Sequence, residues 1–262
     1  MRQASFFSRF VLPVYCLLLY FFLFAPIIVL ILFSFNDSAF PYEWRGFSLR
    51  WYYALWHSTD IIAALKTSLI VAFSSVILSL VMGTMFVFYS SKTIFTRAIF
   101  MFYTTLAAPE IVLAVGALSF FSMLAVPLGI TTLIAAHTII GLGYVIPILQ
   151  SRFEQLSKRY AEASYDLGAT QGQTLTKVIV PLLLPSLFAA SLLVFIISFD
   201  DFVISFFTAG STTQTLPMYI YAMLRSGTSP VVNALSTLML LVSCLIVLLF
   251  SLLQVKKMDM LQ

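Results

Sequence analysis

Residues 160–181 hold Glu162-Ala163-Ser164, then Gly168, then Val178-x-Val180-Pro181, between two long apolar runs. Tyr160, Ala163, Ser164 and Leu167 fall at i, i+3, i+4 and i+7 and so share one face of a short helix. Gly168 stands where a helix stops in the left-handed conformation. A second short helix is expected from about Thr170 to Ile179, and Pro181 should break it. Two short helices around a glycine elbow make a compact knob, and what lies on either side decides what that knob is attached to.

The flanking sequence is that of a membrane protein. The 262 residues are 61% apolar and only 9% charged, where a soluble domain carries about 25% charged residues. A hydrocarbon core of about 30 Å needs about 20 helical residues. Runs near 10–35, 61–90, 98–126, 129–150, 186–208 and 231–254 are long enough. The expectation is an all-α integral membrane protein with six transmembrane helices.

Basic residues set the orientation. Arg2, Arg9, Lys92, Arg97, Arg152, Lys158, Arg159, Lys177, Lys256 and Lys257 fall on one side, against Arg45, Arg50 and Arg225 on the other. Lys66 can snorkel from the start of its span. This bias puts the N- and C-termini and the knob in the cytoplasm of a multi-pass membrane protein, surrounded by membrane lipid. The net charge of +4 then reflects insertion topology and calls for no nucleic acid. The first span is too long for a signal-peptide core and has no small-residue cleavage site, so it reads as a retained anchor. Cys16 and Cys244 lie within spans and read as buried thiols. The external stretch from Asn36 to Asp60 carries Pro41, Trp44, Trp51 and Tyr52, which suit a cap at headgroup level.

The chain shows no GxxxxGK[ST] phosphate loop and no Cys/His cluster with metal-ligand spacing. No cofactor is expected in this chain, and ATP-Mg would be bound by a partner. Three of its carboxylates do fall within spans: Glu110, Asp200 and Asp201. Burying one costs upward of about 2.5 kcal/mol, so each faces the bundle interior, a cavity or a partner. Glu110 and Asp200 lie at a similar depth, about 18 and 21 Å along their spans at 1.5 Å per residue.

Around the fifth span Ser191, Ser198, Asp201, Ser205 and Thr208 form a polar stripe if the helix is continuous. Asp201 then lines a path, and Asp200, rotated by about 100°, meets a neighbouring helix or subunit. Tyr103, Ala107, Ala114 and Ala117 share the face of Glu110. Pro109 should kink or unwind the third span, freeing carbonyls that can also face a cation. Carboxylates at one depth with no intramembrane Arg or Lys attract a cation; the alternative is that they bond to helix ends, hydroxyls or a partner subunit. His137 reads as hydrogen-bonded within the bundle, with a ligand or proton-relay role as the alternative. Ser75, Ser79 and Gly83, at i, i+4 and i+8, read as close helix packing.

The stretch from Glu162 to Pro181 resembles the cytoplasmic coupling loop of ABC importer permeases, whose pattern is Glu-Ala-Ala, three residues, Gly, nine residues, then Ile-x-Leu-Pro. Glu162, Ala163, Gly168 and Pro181 match in register; Ser164, Val178 and Val180 depart conservatively. Any one of these residues would suit an ordinary interhelical loop, but together they resemble the family.

Further stretches are similar to the spermidine/putrescine (polyamine) permeases: Ser34-Phe35-Asn36, Arg50-Trp51-Tyr52, Ala108-Pro109-Glu110-Ile111-Val112, Ser198-Phe199-Asp200-Asp201-Phe202-Val203, Thr215-Leu216-Pro217, and Ser229-Pro230 with Asn233-Ala234-Leu235. Glu110 stands where that group usually has Asp, and Val231 where it usually has an acidic residue. The resemblance implies a type I permease fold, a homologous second permease subunit, two cytoplasmic ATPase subunits and a periplasmic substrate-binding protein. It implies coupling through Glu162, Ala163, Ser164, Gly168 and Pro181. A polyamine path would use Glu110, Asp201, Asp200, Ser198 and Tyr103, with Phe199 and Phe202 as aromatic walls. Trp51 is either an entrance residue or an interfacial anchor.

The expected layout is a first helix and external loop (1–60), a permease core (61–255) containing the coupling loop (151–185), and a cytoplasmic tail (256–262). A permease for another small cation, a proton-coupled carrier or a channel built on Glu110 and Asp201 are the competing readings. The carrier and channel would leave the knob without a role.

Overall fold

The computed structural model describes residues 11–38, 43–90, 96–227 and 230–259. Arg2, Arg9, Pro41, Lys92 and Ser229, used above, lie outside the described residues. The chain forms two compact units, residues 1–59 with 220–242 and residues 60–219 with 243–262. Regular structure among the described residues is helical, apart from one isolated antiparallel bridge between Asn36 and Phe47.

In the first unit, α1 (Leu12–Phe33) has no buried residue, as befits a helix whose solvent is lipid. The expected burial of Cys16 does not hold, and Cys244 is likewise exposed, because both sit on outward faces of their helices. After α1 the chain turns into a short cap that ends in α2 (Arg50–His57). Asn36 organises it. Its side-chain oxygen accepts from Arg45 N–H at 2.9 Å, and its amide donates to the Glu43 carbonyl at 2.6 Å.

The second unit holds the spans at 59–89, 130–156 and 171–200. It runs through α3 (Thr59–Ser90), α4 (Thr96–Ala107), α5 (Glu110–Met123), α6 (Ile130–Asp166), α7 (Gln171–Thr174), a π turn (Leu175–Ile179), α8 (Val180–Asp200) and α9 (Val203–Thr208). Helices α10 (Leu216–Ser226) and α11 (Pro230–Asp259) follow. Among the described residues, five helical runs are long and apolar enough to cross a membrane: 12–33, 59–89, 130–156, 171–200 and 230–248. The small-residue stripe on α3 does pack closely. A Cβ on Gly83 would lie 2.6 Å from Val145, and one on Gly141 3.0 Å from Ser79.

One expectation holds and two change. The run at 98–126 is two helices, because Pro109 lacks an N–H and pushes Ala108 out of helical geometry, an unwinding that Pro109 had led us to expect. The run at 129–150 continues as one helix to Asp166, so Glu162, Ala163 and Ser164 ride on the end of a 37-residue helix rather than on a short one of their own. Finally, Pro181 breaks nothing. The π turn before it closes i→i−5 bonds, as from Val180 N–H to Leu175 C=O, and Pro181 falls in the first turn of α8, where a missing N–H costs little.

Candidate functional site

The elbow between α6 and α7 is built by its own backbone. Ala169 N–H donates to Ser164 C=O at 3.0 Å and Gly168 N–H to Tyr165 C=O at 2.8 Å, the paired bonds of a Schellman stop. Gly168 takes φ +82°, which a side chain would strain. Thr170 then caps α7: its N–H donates to Gln173 Oε1 at 2.9 Å while its hydroxyl accepts from Gln173 N–H.

Ser164, the departure from Ala-Ala, turns inward and bonds Thr174 Oγ1 at 2.7 Å. It ties the end of α6 to α7. Glu162, Ala163 and Gly168 are exposed, while Leu167 is 89% exposed at the tip. With Ser164 buried, the outward apolar face is Tyr160, Ala163 and Leu167. If the Ser164–Thr174 bond clamps the elbow, S164A strands a buried hydroxyl and lowers stability by about 1–3 kcal/mol, whereas S164A/T174V is close to neutral. Thermal unfolding of the four variants of this cycle checks it.

Helix α8 leads from this elbow to a break at Asp201. Asp201 is extended, with ψ 127°, and its carboxylate takes the N–H groups of Ile204 (3.3 Å) and Ser205 (2.8 Å) at the start of α9. The break interrupts the polar stripe expected along the fifth span, because an Asp that can cap a new turn competes with helix continuation. Asp201 is 7% exposed. His137 on α6 bridges the break, with Nε2 3.5 Å from Asp201 Oδ2 and 3.1 Å from Ser205 Oγ. Its Nδ1 lies 2.9 Å from Ser198 Oγ, which in turn meets Ser75 Oγ of α3 at 3.1 Å.

Hydroxyl, imidazole and carboxylate stand here in the order of a hydrolase triad, but Ser198 is 7% exposed and its oxygen is already shared between Ser75 and His137. The arrangement is a structural tie. His137 is hydrogen-bonded within the bundle, as expected, through Ser198 of α8 and Ser205 of α9.

Glu110 opens α5, in the first turn, where the helix dipole favours an acid. Its carboxyl reaches hydrogen-bonding range of Asp201. Glu110 and Asp200 are exposed, as is Tyr103 at 43%. The fold therefore brings Glu110, Asp201, Ser198 and His137 together and turns Glu110 and Asp200 outward.

Trp51 belongs to the other unit and is 8% exposed. Its indole N–H donates to Asn36 C=O at 2.7 Å, and the Arg50 guanidinium lies 4.3 Å from its ring centre. Ser34 bonds the Tyr52 hydroxyl at 2.7 Å. Ser34-Phe35-Asn36 and Arg50-Trp51-Tyr52, two separate stretches in sequence, are thus one joint in space.

The profile of the family described as "Binding-protein-dependent transport system inner membrane component" matches residues 75–259, a stretch that contains both the elbow and the acidic break. The chain belongs to this family. As a member of it, the chain is a multi-pass inner-membrane permease of the ABC importer class. It is 35% identical over 246 residues to the spermidine/putrescine transport system permease protein PotC of Haemophilus influenzae, covering 92% of this chain and 96% of that one. The putrescine transport system permease protein PotI of Escherichia coli is 32% identical over 229 residues, covering 84% and 82%. Among solved structures, a bacterial ABC transporter involved in the import of the acidic polysaccharide alginate matches with TM-score 0.71 at 15% identity, covering 95% of this chain and 97% of that one. The MetNI methionine ABC transporter matches with TM-score 0.60 at 18% identity, covering 77% and 96%. At such identities the likeness speaks for the fold.

Proposed function

We propose that this permease is one of two homologous membrane subunits of an ATP-driven importer that carries a polyamine, spermidine or putrescine, across the inner membrane. Two cytoplasmic ATPase subunits bind ATP-Mg and supply the energy, and a periplasmic binding protein delivers the cargo. The chain itself has no ATPase site. It crosses the membrane six times, with α4 and α5 together making one crossing, and both termini and the elbow lie in the cytoplasm. Residues 1–60 form the first helix and its external loop, 61–255 the permease core with the coupling loop at 151–185, and 256–262 a tail.

The observation that carries this reading is α8. It is one 21-residue helix, about 30 Å long at 1.5 Å per residue, with the elbow at one end and the acidic break at the other. A rod of membrane thickness joins the face an ATPase would push to the carboxylates a cation would meet. Closure of the ATPase dimer moves the elbow, α8 carries the displacement, and the setting of Glu110, Asp200 and Asp201 changes with it. A polyamine suits those groups. Its ammoniums take carboxylates, and its methylenes take aromatic walls such as Tyr103 and Phe202; Phe199, expected beside them, is 2% exposed and stacks on Phe195 in the core.

The reading is tested with the whole complex, reconstituted with its binding protein and offered amines of one, two and three charges. Diamines and triamines should stimulate ATP hydrolysis and ATP-dependent uptake by about tenfold over a monoamine, the effect of one added ion pair in a low-dielectric site. Amine uptake that proceeds without ATP would overturn the ATP-driven reading in favour of a carrier or channel. Equal stimulation by all the amines would remove the polyamine.

A further inference from the structure

His137 is buried at 3% exposure and is used by nothing in the coupling scheme above, yet it touches more of the acidic break than any other side chain described. Its two nitrogens face unlike partners. Toward Nε2 lie the Ser205 hydroxyl at 3.1 Å and, at 3.5 Å, the carboxylate of Asp201, which accepts N–H bonds from Ile204 and Ser205; toward Nδ1 lies a hydroxyl alone, Ser198. A carboxylate can only accept, so the ring proton belongs on Nε2, and Nδ1 is left to accept from Ser198. Ser198 has then spent its one proton, and its oxygen shares the Ser75 hydroxyl proton with the Ala72 carbonyl, at 3.1 and 2.9 Å.

The result is a chain of donors, Ser75 to Ser198 to His137 to Ser205 and Asp201, in which the Ser75 proton is shared with the Ala72 carbonyl and the Nε2 proton lies between Ser205 and Asp201. It starts on α3, crosses α8 and α6, and ends where α8 and α9 part. Glu110 lies in hydrogen-bonding range of the carboxylate at its end.

We propose that His137 is a positioning residue for transport: its Nε2–H, set between Ser205 Oγ and Asp201 Oδ2, holds the Asp201 carboxylate and the start of α9 together, and so sets the place of the break and of the acidic groups around it. The inference rests on the polyamine reading for its transport consequence but not for its structural one, which allows the two to fail separately.

Glutamine carries an N–H at the reach of Nε2, and asparagine an oxygen at the reach of Nδ1, so H137Q keeps the donor to Asp201 while H137N keeps only the acceptor for Ser198. In the reconstituted complex, H137N should raise the amine concentration for half-maximal stimulation about tenfold with the maximal rate kept, and H137Q should stay within about threefold of wild type. H137N combined with D201N should be no worse than D201N alone, since both break one link. Hydrogen exchange at the Ile204 and Ser205 amides should be faster in H137N than in H137Q.

Equal behaviour of the Gln and Asn variants, or an additive double variant, overturns the proposal. Should no amine stimulate even the wild type, the cargo reading fails. The exchange rates then decide the role of His137 by themselves: faster exchange in H137N upholds it, and equal rates overturn it.

Discussion

L167D should abolish ATP-driven uptake while leaving the permease inserted and as stable as wild type. Leu167 is 89% exposed at the elbow, one residue before the φ +82° glycine, and shares its outward face with Tyr160 at 49% exposure. A leucine so placed contributes nothing to the fold of its own chain, and substitutions at such positions change stability by about 0.5 kcal/mol or less. In a docked ATPase its burial is worth about 1.5–3 kcal/mol. A carboxylate in the same apolar contact loses that and adds a desolvation cost of similar size. Together these weaken docking by roughly 4 kcal/mol, about a thousandfold. The measurement is co-purification of the ATPase with the permease, alongside uptake into vesicles and thermal unfolding. Wild-type uptake by L167D would remove this elbow from energy coupling. Loss of thermal stability would instead move Leu167 into the fold.

The elbow was legible in the sequence because its signals are local. Gly168 and Thr170 act through bonds to residues within five positions of themselves, so their chemistry can be read in one dimension. Pro109 was legible for the same reason. Two other features needed the third dimension. The π turn absorbs Pro181, and nothing in Leu175–Ile179 announces it, since a wider turn is chosen by how the buried Thr174 and Ile179 fit beneath α6. His137 looked solitary because its partners Ser198 and Ser205 stand 61 and 68 residues away.

The break at Asp201 lies between these cases. An aspartate inside an apolar run, followed by Phe202-Val203-Ile204-Ser205, is also the signature of a helix start. That signal was present but was outweighed by the length of the apolar stretch. The resemblance singled out this stretch without saying that Asp201 is buried and Asp200 exposed.

That difference in burial predicts two opposite failures from two carboxylates of one cluster. Asp201 accepts two α9 amides and faces the His137 ring. D201A removes the cap from the amides of two buried residues, Ile204 and Ser205, at about 1–3 kcal/mol each. A total of about 2–6 kcal/mol is a large share of the stability of a typical domain, so D201A should give little folded complex, and its transport defect should follow yield. Glu110 is exposed and bonds no amide of another helix among the bonds described. E110Q keeps its shape and its place at the start of α5, so the purified complex should unfold within about 0.5 kcal/mol of wild type. What it lacks is the charge. Its uptake of a diamine or triamine should fall about tenfold per ion pair lost, with a monoamine less affected. Measuring yield, thermal unfolding and uptake on both variants separates a carboxylate that builds the site from one that meets the cargo. E110Q with intact uptake and lowered stability would exchange the two roles.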